Sequence, residues 1–234
     1  MNNSIKLAYN WSVSDYIDLV ENTSNPVLKK YEQEELDYLK TQIENSQEKT
    51  FIDVGGGYGR ALPVLAKIAR NVISVEINDS MFGELEKRTR QYPNAVAIKG
   101  DANNLSALVG KGGVVNPVLI CLQNSIGTWE GDYREAVAEM GQFARDNHGE
   151  VVISAWRAEM FKDFATKVYG PIEFVGKPDL SKTDFENGIY VSKKGYTTHW
   201  WSPKKREEIR KLLGGRTVRE TLGTPYFILH VSYS

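Results

Sequence analysis

The chain has 234 residues and a formal net charge of -1, with 29 basic side chains against 30 acidic ones. That length fits one large α/β domain, or one domain with a modest insertion, and it can bury a sizeable core unaided. The charge balance argues against nucleic acid or a membrane surface as a partner, and the single cysteine, Cys121, excludes an intrachain disulfide and a cysteine-based zinc site.

A lone cysteine fits a reducing compartment, and the polar opening Met1-Asn2-Asn3-Ser4-Ile5-Lys6 carries no signal peptide, so a cytoplasmic location is expected. Asn25-Pro26 starts a helix, with Asn as cap and Pro in the first turn. Leu28, Tyr31, Glu35, Leu36, Leu39 and Ile43 then recur at helical spacing, to an end near Asn45. Next comes an alternation of strands (50–54, 71–77, 95–99, 117–122, 150–155) and helices (58–70, 79–91, 129–145, 156–168), with a turn-rich stretch at 100–113. The apolar run at 114–122 contains Asn116 and Pro117 and is too short to span a bilayer. Strands alternating with helices predict a mostly parallel sheet covered on both faces.

Residues 172–201 lose helical periodicity and predict short antiparallel strands or a lid. Ser202-Pro203 begins a helix that Gly214-Gly215 ends, and strands at 218–222 and 226–232 around Pro225 form a terminal hairpin. The fold class is therefore α/β: a mostly parallel sheet ending in an antiparallel hairpin. A single domain is expected, made of an N-terminal helical cap (1–48), a ligand-binding core (49–155), a lid insertion (156–202) and a last helix with hairpin (203–234).

The first strand runs into Asp53-Val54-Gly55-Gly56-Gly57-Tyr58-Gly59-Arg60. Glycines serve where backbone turns sharply or approaches a ligand, and free amides at the following helix attract polar or anionic groups. In open α/β sheets, ligands bind at the carboxyl ends of the strands. Arg60 stands where a dinucleotide fingerprint has its third glycine, and the Gly-Lys-Ser/Thr of a phosphate loop is absent. A carboxylate at Asp53 would repel a pyrophosphate and suits a ligand with a cationic amine.

Asp53-x-Gly55-x-Gly57-x-Gly59 resembles the first motif of class I S-adenosylmethionine-dependent methyltransferases. The resemblance covers about residues 50–155 and implies a Rossmann-like fold with S-adenosyl-L-methionine as cofactor. It implies that Asp53 and the loop, Gly56 included, anchor the amino-acid end. Glu76, ending the second strand, would hold the ribose hydroxyls, and Ile77 and Met81 would pack on the adenine. Gly100-Asp101-Ala102 would hold the adenine amine. After the fourth strand, Gln123 is assigned to the cofactor and Asn124 to the acceptor; Asn124-Ser125 resembles the matching segment of glycine N-methyltransferase-like enzymes. Tyr9 matches a tyrosine that closes over the cofactor, and His199, in His199-Trp200-Trp201-Ser202-Pro203, is a candidate proton acceptor.

The implied reaction is methyl transfer to the N or O of a small-molecule acceptor. An RNA or protein acceptor, served by the basic residues at 204–211, and a non-catalytic S-adenosylmethionine-binding protein remain alternatives. Arg60 and Asp53 disfavour a nicotinamide-dependent reductase. Each residue also has a plain structural reading. The glycines can serve only a tight turn, Glu76 can end a strand in solvent, and Asp101 and Asn124 can serve turns. Cys121, His199 and the tryptophans can be packing, and the basic residues at 204–211 can be the solvated face of a helix. The three histidines show no metal-ligand spacing.

Overall fold

Strands buried on both faces need side chains that are apolar in both directions, and β1 (Thr50–Val54) and β4 (Val118–Cys121) are buried at every residue. The computed structural model describes residues 12–110, 114, 116–129, 132–173 and 175–233. Those two strands pair in parallel at the centre of a seven-stranded sheet. With β2 (Asn71–Glu76), β3 (Ala95–Lys99), β5 (Glu150–Trp156), β8 (Thr217–Leu222) and β9 (Tyr226–Ser232), the order is β3-β2-β1-β4-β5-β9-β8. Only β9 runs against its neighbours, so the terminal hairpin puts its antiparallel strand one place in from the edge. The edge strand β8 is exposed and carries Arg219 and Glu220, charges that discourage edge-to-edge pairing.

Alternation along the strands divides the core. Phe51, Ile120, Val152 and Ile228 face one layer, and Ile52, Cys121, Ile153 and Leu229 face the other. The first layer holds α2 (Pro26–Gln42), α3 (Leu62–Ile68), α7 (Phe161–Tyr169) and the hairpin of β6 (Ile189–Val191) with β7 (Thr197–His199). The second holds α5 (Leu105–Val109), α6 (Tyr133–Asp146) and α8 (Pro203–Leu213). α1 (Val13–Val20) packs Val20 with Tyr58 and with Met81 of α4 (Asp79–Thr89). The cap readings at Asn25 and Ser202 hold: Asn25 accepts from the Val27 amide at 3.0 Å and Ser202 from that of Lys205 at 3.3 Å. No helix among the described residues is long and apolar enough to cross a membrane.

Three helices start later than the sequence expectation, and the stretch read as turns at 100–113 holds the short helix Leu105–Val109. The helix expected at 58–70 begins only at Leu62, because Gly57 and Gly59 sit at positive φ, outside helical space. The helix expected at 129–145 begins at Tyr133, where Asp132 caps it by accepting from the Arg134 amide at 3.0 Å. Trp156 belongs to β5, paired with Tyr226, and α7 starts at Phe161; a distant partner overrides local propensity there.

Trp200 anchors the β6–β7 hairpin to the core: fully buried, it stacks on Trp156 at 5.3 Å and donates from Nε1 to the Tyr169 hydroxyl at 3.3 Å. Trp200→Ala is expected to cost about 3–5 kcal/mol of unfolding free energy in urea titration. A cost below about 1 kcal/mol would mean that the hairpin folds independently of the sheet.

Candidate functional site

The chain runs outward from β1 to β3 and then returns to β4, so the loops after β1 and β4 part company at the centre of the sheet. That divergence is where open α/β sheets leave a crevice. In the β1 loop, Gly55, Gly57 and Gly59 have φ of 74°, 56° and 90°. At Gly59 a side chain would also meet Leu85 Cδ1 at 3.0 Å, whereas a Cβ at Gly57 would meet no atom of the described residues within 4 Å. The loop therefore packs closely on α4 at Gly59 and leaves the flank of Gly57 open to a ligand.

The four glycine amides of the loop are engaged within the protein. Those of Gly55 and Gly56 both donate to the Val75 carbonyl, at 2.9 and 3.1 Å. Gly57 donates to Glu76 Oε2 at 2.8 Å and Gly59 to the Gly56 carbonyl at 2.9 Å. The Asn78 amide donates to Glu76 Oε1 at 2.7 Å, so the Glu76 carboxylate is fixed against the loop with lone pairs to spare.

After β4, Gln123 and Asn124 follow one another at φ of 53° and 59°, a left-handed pair without glycine. Such backbone costs of order 1–3 kcal/mol per residue and persists only when its surroundings enforce it. Here they do. The Gln123 amide donates to Glu35 Oε1 at 2.6 Å and to Ser154 Oγ at 3.1 Å, and the Asn124 amide to the Ser154 carbonyl at 3.1 Å. The Asn124 side chain donates to Thr198 Oγ1 at 2.9 Å and to the His199 carbonyl at 3.2 Å. It accepts from Trp201 Nε1 at 3.1 Å and from the Trp156 amide at 3.3 Å. Its hydrogen-bonding capacity is thus spent on tying three segments together.

Beneath both loops lies a buried charge cluster. Glu35, on the core face of α2, is 1% exposed and accepts from Arg60 Nη2 at 2.7 Å and from the Ser154 hydroxyl. Burial pushes Asp53 up to about 7, against the pull of Arg60, and Glu32 up to about 8. Glu76 is also raised by burial, and backbone amides oppose the shift. Gln123 Nε2 donates to Glu32 Oε1 at 2.9 Å.

A cavity of about 1130 Å³, counted out to its open mouth, runs along the crevice. Gly57, Glu76, Ile77 and Met81 line one end; Leu28, Trp156, Tyr169, Ile172 and Tyr196 line the other. A smaller space of about 350 Å³ lies beside the loop, walled by Asp53, Gly56, Arg60, Gln123 and Ser125. The sequence-predicted residues Asp53, Gly55, Gly56, Gly57, Glu76, Ile77, Met81, Gln123 and Asn124 all line one or both spaces. Gly59 supports the loop from behind. Asp101 lines neither and accepts from the Asn103 amide at 2.9 Å, while Ala102 is buried in the second layer. His199 lines neither: it sits on β7, and burial, then Lys205, holds its imidazole below the ordinary pKa. Tyr9 lies outside the described residues.

Sequence reasoning passed over Glu35, Glu32, Tyr16 and the aromatic end of the cavity. One signal was available: Glu35 shares the helical face of Leu28, Tyr31 and Leu39, where a carboxylate needs a buried partner.

No family model matches the chain, and no curated protein matches it. Among solved structures it is similar to an O-methyltransferase family protein from Burkholderia thailandensis (TM-score 0.61, 13% identity), over 89% of this chain and 57% of that one. It is also similar to magnesium protoporphyrin IX methyltransferase from Synechocystis PCC 6803 with bound SAM (TM-score 0.61, 12% identity, 100% and 99% of the two chains). A third is the CcbJ methyltransferase from Streptomyces caelestis (TM-score 0.58, 14% identity, 87% and 90%). The chain thus spans little more than half of the Burkholderia protein, and at these identities the likeness is one of fold: the α/β, mostly parallel sheet with its antiparallel strand near one edge.

The clamp at Asn124 has a measurable consequence. Asn124→Ala strands the Trp201 Nε1–H and the Trp156 amide in the core, and should lower unfolding free energy by about 2 kcal/mol or more in urea; unchanged stability would leave the residue free for an acceptor. The raised carboxyls give a second test. A carboxyl whose pKa is higher in the fold contributes stability that is complete below its ordinary pKa and is lost as pH rises through the folded value. For Asp53 and Glu32 the loss falls on the way to pH 7–8. Across that rise the Tm of the wild type should fall more steeply than that of Asp53→Asn, whose side chain cannot ionise. Parallel curves would mean that Asp53 is already ionised at the acid end.

Proposed function

We propose that the chain is an S-adenosylmethionine-dependent methyltransferase acting on a small-molecule acceptor. The observation that carries this reading is Glu76: a buried carboxylate at the end of β2, fixed by two backbone amides and facing a cavity beside the open flank of Gly57. Adjacent hydroxyls of a ribose are the donors such a carboxylate is built to receive. Ile77 and Met81 add an apolar wall at the same end of the cavity for a flat base. The residues present therefore fit the cofactor at its ribose and base.

When bound, the cofactor supplies an electrophilic methyl group on a sulfonium. The protein's part is to hold the acceptor's lone pair in line with that carbon and to keep water out. Leu28, Trp156, Tyr169, Ile172 and Tyr196 supply a wall suited to this. No Lys, Arg or His stands among the described residues lining that cavity. This favours an uncharged, apolar acceptor over a phosphate or a nucleic acid, because no cationic side chain among the described lining residues would pair with an anion there. Burial raises the hydroxyls of Tyr169 and Tyr196 further above neutrality, so they act as hydrogen-bond donors and not as bases.

Isothermal titration with S-adenosylmethionine and, in parallel, with NADH tests the reading. Micromolar binding of the first alone is expected, and Glu76→Ala should weaken it by about 2 kcal/mol, roughly thirtyfold. Absence of binding by folded protein would overturn the proposal, and an unchanged affinity in the variant would remove the ribose assignment. An acceptor screen then compares neutral ring compounds with their carboxylate analogues.

A further inference from the structure

The 3₁₀ turn Ser125–Gly127 follows directly on the left-handed pair Gln123-Asn124. Ser125 lines both spaces of the crevice, and its Oγ would be 3.7 Å from a Cβ at Gly55, so it stands against the glycine loop. Thr128, three residues on, lines the larger space. Side chains three apart in a 3₁₀ turn eclipse one another, so the two hydroxyls share a face.

Both hydroxyl protons are spent inside the turn. Ser125 Oγ donates to the Leu122 carbonyl at 2.8 Å, and Thr128 Oγ1 to the Ser125 carbonyl at 3.0 Å. A hydroxyl has one proton and two lone pairs, so each oxygen keeps only acceptor capacity. The neighbouring side-chain amides are turned to the protein: Gln123 Nε2 donates to Glu32, and Asn124 to Thr198 and the His199 carbonyl. The turn therefore presents oxygen lone pairs to a cavity whose far wall holds Trp156, Tyr169 and Tyr196. A phenolate, thiolate or carboxylate would meet those lone pairs with no proton to accept. A neutral phenol or alcohol must lose its proton to attack, and a serine or threonine hydroxyl is no base for it. A neutral amine meets both conditions, with N–H groups to donate and a lone pair left over.

Resting on the methyltransferase reading, we propose that the acceptor is an uncharged primary aromatic amine, whose N–H groups are received by Ser125 Oγ and Thr128 Oγ1 while its ring lies against the aromatic wall. Two such bonds fix the direction of the remaining lone pair, which is the alignment that transfer needs. An aryl amine is neutral near pH 7, so it attacks without prior loss of a proton. Its lone pair forms the new N–C bond, the C–S pair passes to sulfur, which becomes a thioether, and the arylammonium gives its extra proton to water.

Equilibrium dialysis with naphthylamine and its near-isostere methylnaphthalene, with S-adenosylhomocysteine present, reads the two hydroxyls by binding alone. By apolar transfer methylnaphthalene is the better ligand. Wild-type protein is expected to prefer naphthylamine by about tenfold, and Ser125→Ala with Thr128→Val should abolish that preference while still binding methylnaphthalene. The double variant keeps both carbonyls paired, because the Ser125 amide also donates to Leu122 and the Thr128 amide to Ser125, each at 3.0 Å. With S-adenosylmethionine, naphthylamine should be methylated and naphthol should not. In protein that binds S-adenosylhomocysteine, a preference for methylnaphthalene, a preference for the amine that survives in the double variant, failure of both rings to bind, or methylation of naphthol alone would overturn the amine assignment and leave the cofactor reading standing. Failure to bind S-adenosylhomocysteine and S-adenosylmethionine would overturn both together.

Discussion

A carboxylate sealed from water holds the β1 and β4 loops of this protein to its helical cover. Glu35 projects from α2 and accepts from Arg60 behind the β1 loop, from the Gln123 amide in the β4 loop, and from Ser154 in β5. Removing an ion from water costs several kcal/mol, and only several well-placed donors offset it. The same hydrogen bonds that satisfy Glu35 help to hold Gln123 and Asn124 in left-handed backbone, which the chain would otherwise abandon. Loop shape and helix position are therefore one equilibrium, and neither can shift without stranding a buried group.

That coupling divides the crevice by chemistry. On the loop side the wall is polar and ionisable, fixed by backbone amides and by Arg60. On the far side it is aromatic, built from Trp156, α7 and the segments around the β6–β7 hairpin, with Trp200 stacked on Trp156. Asn124 stands at the boundary and joins β5, β7 and Trp201 through its side chain. Gly127 is small for the same reason: a side chain there would come within 2.3 Å of Asn124 Nδ2. A rigid boundary of this kind lets two partners occupy one cavity at a defined separation, which in-line transfer on the proposed reading requires.

Most of the sheet was legible because its punctuation is local. Asn25-Pro26 and Ser202-Pro203 announce helices that begin where their caps say, and the run from Phe51 to Gly59 reads as strand, turn and ligand loop from residue chemistry alone. The glycine loop and Glu76 were legible for the same reason. The rest of the site was not, because it is made by distant pairs. Arg60 meets Glu35 across 25 positions, Gln123 meets it across 88, and Ser154 across 119. The sequence reading took Arg60 as a departure from a dinucleotide pattern, when its side chain is the loop's link to α2. It named His199 as a candidate proton acceptor; the contacts this segment makes to Asn124 come from Thr198 and the His199 carbonyl, which sequence did not mark.

An α/β sheet with a glycine loop does not itself choose a ligand, since dinucleotides occupy the same crevice in other proteins with this architecture. The choice lies with charge. Glu32, Asp53 and Glu76 are held above their ordinary pKa by burial, so the cluster resists being fully ionised while it stands alone with one guanidinium. A pyrophosphate would add negative charge to a place already short of cations and with its glycine amides committed. A ligand with a sulfonium, an ammonium and a carboxylate does the opposite. On the proposed reading its two positive centres favour ionised carboxylates in this cluster. Arg60 in place of the third glycine and Asp53 before the loop both belong to this buried cluster, so on the proposed reading the ligand preference is set by charges that the fold buries.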